Sequence, residues 1–104
     1  MKKLLITTIA ITSIISSAFA ASPEYLIQIK DHKFSPEKLE IKAGIDFTLV
    51  IENLDKTLEE FESDDLKKEK LVRAGKKITI PVTALKAGEY KFYGDFHQKT
   101  AQGK

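Results

Sequence analysis

The 104-residue sequence has no cysteine. Disulfides, thiolate metal ligands, cysteine nucleophiles and lipid attachment through an N-terminal cysteine are therefore all excluded. No internal repeat or low-complexity linker divides the chain. No glycine-rich phosphate loop and no Ser–His–acid arrangement stands out, so nucleotide hydrolysis and nucleophilic catalysis have no foothold. No apolar run reaches the length of about 20 residues that a membrane-spanning helix needs. A strong charge imbalance is missing as well. Lys and Arg number 17 against 15 Asp and Glu, and the small excess disappears if Lys2 and Lys3 are removed. Electrostatic binding to nucleic acid has no basis in such a balance.

What the sequence does have begins with a leader. Met1, Lys2 and Lys3 are followed by an apolar stretch from Leu4 to Ile15, and then by Ser16, Ser17 and Ala18-Phe19-Ala20. A short positive region, an apolar segment and a small-x-small end are the marks of a cleavable signal peptide over residues 1–20. Cleavage after Ala20 leaves residues 21–104 as one free domain outside the cytoplasm. A domain of that size buries about 60% of its unfolded surface, enough for a modest core.

The remaining chain carries the two-residue period of strands. Tyr25, Ile27 and Ile29 alternate with Leu26, Gln28 and Lys30. Phe47, Leu49 and Ile51 alternate with Thr48, Val50 and Glu52, and Ile45 extends the pattern. Ile78, Ile80 and Val82 form a third strand, in which Pro81 argues for a sheet edge. Tyr90, Phe92 and Gly94 form a fourth, with shorter strands expected at Lys38–Lys42 and near Lys70–Arg73. Ser35-Pro36, Ala43-Gly44, Ala74-Gly75 and Ala87-Gly88 supply the turns. The fold class is all-β, a sandwich. Only the segment Asn53–Lys70 lacks a period. It reads as a long charged connection with a short helical turn at Ser63–Leu66 capped by Ser63.

The order "FSPEKLEIKAG", "FTLVIEN" and "GEYKFYGDFH" resembles the cupredoxin domain, a Greek-key β-sandwich. "TLEEFES" (Thr57–Ser63), Glu69-Lys70 and "FYGDFHQKTAQG" (Phe92–Gly103) resemble a narrower group, the small periplasmic cupredoxin-like proteins that accompany high-affinity iron-permease uptake systems. The family's final apolar strand follows the A-x-G segment, whereas this sequence stops at Lys104, so the C-terminal strand is expected to be cut short.

The resemblance implies a metal site and also alters it. Blue-copper cupredoxins hold copper with two His, one Cys and a weak Met. By the family's spacing the Cys position falls at Gly94, the Met position at Ala101 and the upstream His at or next to Glu59. His97 alone keeps the family's ligand type. A blue-copper site is thus excluded, and an imidazole among carboxylates remains. The candidate ligands are His97, Glu59, Glu60, Glu62 and Asp95. In an extended segment Glu60 and Glu62 share one face, while Glu59 shares the other with Phe61. Such a nitrogen-and-carboxylate set suits mononuclear Cu(II), Fe(II), Mn(II) or Zn(II) rather than Cu(I). Asp95 is equally suited to orienting His97. His32, in the turn before Phe34, falls away from His97 in this order and is not counted among the ligands.

The expected function is a periplasmic copper- or iron-binding protein of iron uptake that hands an ion or an electron to a membrane permease complex. It is not expected to be an enzyme, because one mononuclear site supports single-turnover Fe(II) oxidation at most. A copper-dependent ferroxidase component and a metal-free sandwich used for protein interaction are the alternatives.

Overall fold

A computed structural model describes residues 22–104; the signal peptide expected over residues 1–20 lies outside the described residues. Among the described residues eight strands form two four-stranded sheets. The first sheet has the order β2-β1-β3-β6, from β1 (Glu24–Lys30), β2 (Lys33–Ser35), β3 (Phe47–Asn53) and β6 (Lys77–Val82). The second has the order β5-β4-β7-β8, from β4 (Glu59–Ser63), β5 (Lys68–Val72), β7 (Phe92–Gly94) and β8 (Gln102–Gly103). β1 and β3 run parallel, with Ile27 opposite Ile51, and every other pair is antiparallel. The described residues are nearly all β, with one 3-10 turn among them at Asp95–His97. Among the described residues no helix is long and apolar enough to cross a membrane.

Alternation produces the core directly. Ile27 and Ile29 of β1, Phe47, Leu49 and Ile51 of β3, and Ile80 and Val82 of β6 face inward. They meet Phe61, Val72, Phe92 and Ala101 of the second sheet layer. Phe34, Phe61 and Phe92 pack as an aromatic trio with ring centroids 5.1–6.2 Å apart. Pro81 lies on β6, an edge strand, where its missing N–H costs no ladder bond.

Two sequence expectations fail. The segment Asn53–Lys70 holds a β-hairpin, not a long loop with a helical turn. Ser63 does accept the Leu66 N–H through its Oγ at 3.1 Å, as a cap would. Residues 64–67 nevertheless only turn the chain from β4 into β5, with Lys67 in the left-handed region at φ 57°. The second failure is Lys38–Lys42, which forms no strand. Backbone bonds run from Leu39 N–H to the Lys104 carbonyl and from Lys104 N–H to the Glu37 carbonyl, each 2.9 Å. The pairing goes no further along residues 40–42. A cleft of about 450 Å³ lies beside this segment, lined by Leu39, Ile41, Phe47, Leu85, Tyr90 and Phe92 among others.

Candidate metal centre

β4 divides the candidate ligands between its two faces. Its inward residues are Glu59, Phe61 and Ser63, all buried, and its outward residues are Glu60 and Glu62. A carboxylate in a core needs partners, because desolvating it alone is costly. Glu59, only 1% exposed, has three. Its Oε1 accepts the backbone N–H groups of Glu60 and Phe96, each at 3.0 Å. Its Oε2 lies 2.6 Å from His97 Nδ1. With a carboxylate as partner, Nδ1 carries the proton and Nε2 is the free nitrogen of His97.

The 3-10 turn makes this contact possible. β7 pairs with β4, Gly94 opposite Phe61, and the chain then turns through Asp95–His97 over the Glu59 carboxylate. The turn closes with Ala101 N–H on the His97 carbonyl at 2.8 Å. Gly94, Ala101, Glu59 and His97 thus converge, as the family spacing implied. At Gly94 a Cβ would stand 2.7 Å from Glu59 Cδ and 2.8 Å from Ala101 Cβ. The absence of a side chain there is what admits the carboxylate.

Blue copper does not fit this arrangement. Gly94 and Ala101 offer no donor, and the Glu59 carboxylate fills the space beside them. Among the described residues no buried side-chain nitrogen or oxygen lacks a partner, so this inner site is satisfied by its own residues.

The outer face of the same strand is different. Glu60, Glu62 and Asp95, all half-buried, each bring a ligand oxygen within 4.8 Å of the others. Tyr93 donates its hydroxyl to Glu62 Oε2 at 2.9 Å, which raises the phenol to about 12. Asp95 Oδ1 accepts from Gln98 at 2.8 Å. Glu60 is raised from 4.5 to about 7 by desolvation and by the nearby charges of Glu69, Asp95 and Glu62. A cation beside it would reverse the repulsive part of that shift. Three carboxylate oxygens fit a hard or borderline divalent ion. The five predicted ligands therefore occupy two places: Glu59 with His97 inside, and Glu60, Glu62 and Asp95 outside.

His32 was missed as a member of this region. Its ring stacks on that of His97, with centroids 3.6 Å apart and planes 8° from parallel. Asp31 and His32 form the two-residue turn between β1 and β2, both at positive φ, 52° and 58°. Asp55 holds the turn by accepting both backbone N–H groups, at 2.7 and 3.0 Å. Asn53, fully buried, positions Asp55 through a bond from Asp55 N–H to Asn53 Oδ1 at 2.9 Å. The signal in the sequence was the Asp-His pair between two strand-forming runs, at a spacing that suits a tight hairpin.

The comparisons agree with this architecture. A 50% identical stretch of 80 residues relates the chain to an uncharacterized protein of Rickettsia prowazekii (strain Madrid E), covering 77% of this chain and 64% of that protein. The chain thus spans just under two thirds of that relative's length. Among solved structures, amicyanin from Paracoccus versutus superposes with a TM-score of 0.58 at 16% identity, over 83% of this chain and 82% of amicyanin. A purple cupredoxin from Nitrosopumilus maritimus gives 0.57 at 21% identity, over 78% and 94%. At such identities these two structures speak for the fold alone. The sequence itself matches the cupredoxin-like domain over residues 3–104, and the chain belongs to that family.

Proposed function

We propose that this protein is a metal-binding cupredoxin-like protein of iron uptake, working in the periplasm, that takes up a divalent iron ion at Glu60, Glu62 and Asp95 and passes an ion or an electron to a membrane permease complex. The observation that carries the proposal is the meeting of three carboxylate oxygens within 4.8 Å. The raised Glu60 accords with it, because crowded negative charge is relieved by a cation. Oxygen donors favour iron or manganese over Cu(I). The iron assignment rests further on the resemblance carried by Thr57–Ser63 and Phe92–Gly103. Amicyanin has been solved in a Cu(I) form, but the softer donors that would suit that ion are missing here at Gly94 and Ala101.

Anaerobic calorimetry of the purified protein with Fe(II), and separately with Cu(II), tests the proposal. Sub-millimolar Fe(II) binding is expected, weakened at least about tenfold, or about 1.4 kcal/mol, by the double substitution Glu60→Gln/Glu62→Gln. Binding no tighter than millimolar, or unaffected by that substitution, contradicts it.

One observation favours a second reading, a metal-free sandwich used for protein interaction. The Glu59 carboxylate stands where Gly94 and Ala101 meet and closes that space. Metal analysis of protein purified from its own compartment separates the two readings.

A further inference from the structure

The chain has two histidines, and the fold brings both to one place from positions 65 residues apart (His32, His97). Each ring is held by one nitrogen. His97 Nδ1 lies 2.6 Å from the buried Glu59 carboxylate. His32 Nε2 lies 3.2 Å from Thr57 Oγ1. The second nitrogen of each ring, Nε2 of His97 and Nδ1 of His32, has no side-chain or backbone partner among the described residues. We propose that His32 and His97 together bind one borderline divalent cation of the Cu(II) or Zn(II) class, at a site separate from the carboxylate cluster.

Three features support this assignment. A carboxylate behind one imidazole nitrogen fixes the tautomer, orients the ring and makes the other nitrogen a better donor, as in known metal-binding histidines. Imidazole nitrogens prefer borderline ions, so the pair selects differently from the oxygens of Glu60, Glu62 and Asp95. The site is also open enough to be reached, since the His97 side chain is 27% exposed against 2% for Glu59.

The stacked geometry determines what must move. The in-plane lone pairs of two parallel rings point alongside one another and do not converge on one ion. One ring has to turn, and the hydrogen bonds decide which. His97 is anchored by a short bond to a buried carboxylate. His32 sits at the tip of a two-residue hairpin, half-buried, with a longer bond to a hydroxyl. Binding therefore turns His32 about its side-chain torsions while Asp55 keeps the turn backbone in place.

The test is a Zn(II) titration of the purified protein, followed by NMR of both imidazole rings. Both sets of ring signals should shift together along one saturation curve, with loss of the mutual ring-current displacement that stacking imposes. The variant His32→Asn keeps a residue type that accepts the left-handed turn. It should bind Zn(II) at least about tenfold more weakly. In the variant Glu60→Gln/Glu62→Gln both imidazole rings should still respond to Zn(II), whatever that variant loses at the carboxylates, so failure here and failure of the carboxylate site are read separately. Response of His97 alone, rings still stacked at saturation, or undiminished affinity in His32→Asn overturns the proposal.

Discussion

Replacing Glu59 by alanine removes the acceptor of three N–H groups at once: Glu60 N, Phe96 N and His97 Nδ1. Hydrogen bonds to a charged acceptor contribute about 1.5–3 kcal/mol each when made singly. They do not add fully around one carboxylate, and removing one partner of a buried pair costs about 3–5 kcal/mol in total. The side chain is 2% exposed, so water does not restore the lost bonds without entering the core. A loss of about 4 kcal/mol is expected, against a total stability of about 4–12 kcal/mol for a domain of this length. In thermal denaturation this lowers Tm by about 15–30 °C, at about 4–8 °C per kcal/mol for a domain of this size. Glu59→Gln is the control. Its amide oxygen still accepts both backbone N–H groups, and its NH2 faces an imidazole that can expose a lone pair in the other tautomer. A cost of about 1 kcal/mol is expected, that of one ordinary hydrogen bond. An alanine variant that melts within about 4 °C of the unmutated protein, equivalent to less than about 1 kcal/mol, refutes the reasoning. So does a glutamine variant as damaged as the alanine one.

Two further outcomes follow from the same geometry. Gly94→Ala forces a methyl to within 2.9 Å of Glu59 Oε1 and 2.8 Å of Ala101 Cβ, and overpacking of this kind costs about 1–3 kcal/mol; a denaturation midpoint equal to that of the unmutated protein contradicts it. Glu60 holds its proton up to about 7 in the folded protein, against 4.5 ordinarily. The folded state therefore binds the extra proton between those two values, and its contribution to stability is lost as pH rises through 7. Glu60→Gln should flatten the dependence of Tm on pH between 5 and 8, which parallel melts at those two values test; an unchanged slope contradicts it.

β1, β3 and β6 could be read from the sequence because their inward positions are all apolar. β4 could not, although it is just as regular. Its inward face reads Glu59, Phe61, Ser63, with one aromatic between two polar side chains. Both polar residues are buried because they find partners from distant segments. Glu59 meets the turn after β7, and Ser63 donates to the Lys91 carbonyl at 2.6 Å. Such partners leave no trace in a local hydrophobic period. Lys38–Lys42 failed in the opposite sense. Its alternation is right for a strand, but a ladder requires a neighbour, and the backbone of Lys104 supplies only its beginning.

The site was legible in part for the same reasons. Placing Glu59 on the face of Phe61, and Glu60 and Glu62 on the other, required only strand alternation, and the structure has that arrangement. The convergence of Gly94, His97 and Ala101 on Glu59 came from the family's spacing. The stacking of His32 on His97 depends on a left-handed turn locked by Asp55, itself set by buried Asn53. That chain of contacts joins three separate segments, and no local pattern announces it.

The central claim is that the outer face of β4 and the turn after β7 hold a divalent metal. Its most direct test is paramagnetic broadening by Mn(II), a probe for oxygen-ligand sites, in the NMR spectrum of the purified protein. At substoichiometric Mn(II), the account predicts selective loss of the Glu60, Glu62, Tyr93 and Asp95 backbone signals, abolished by Glu60→Gln/Glu62→Gln. Broadening spread evenly over the surface acidic residues, or the same selective loss in the double variant, would contradict it.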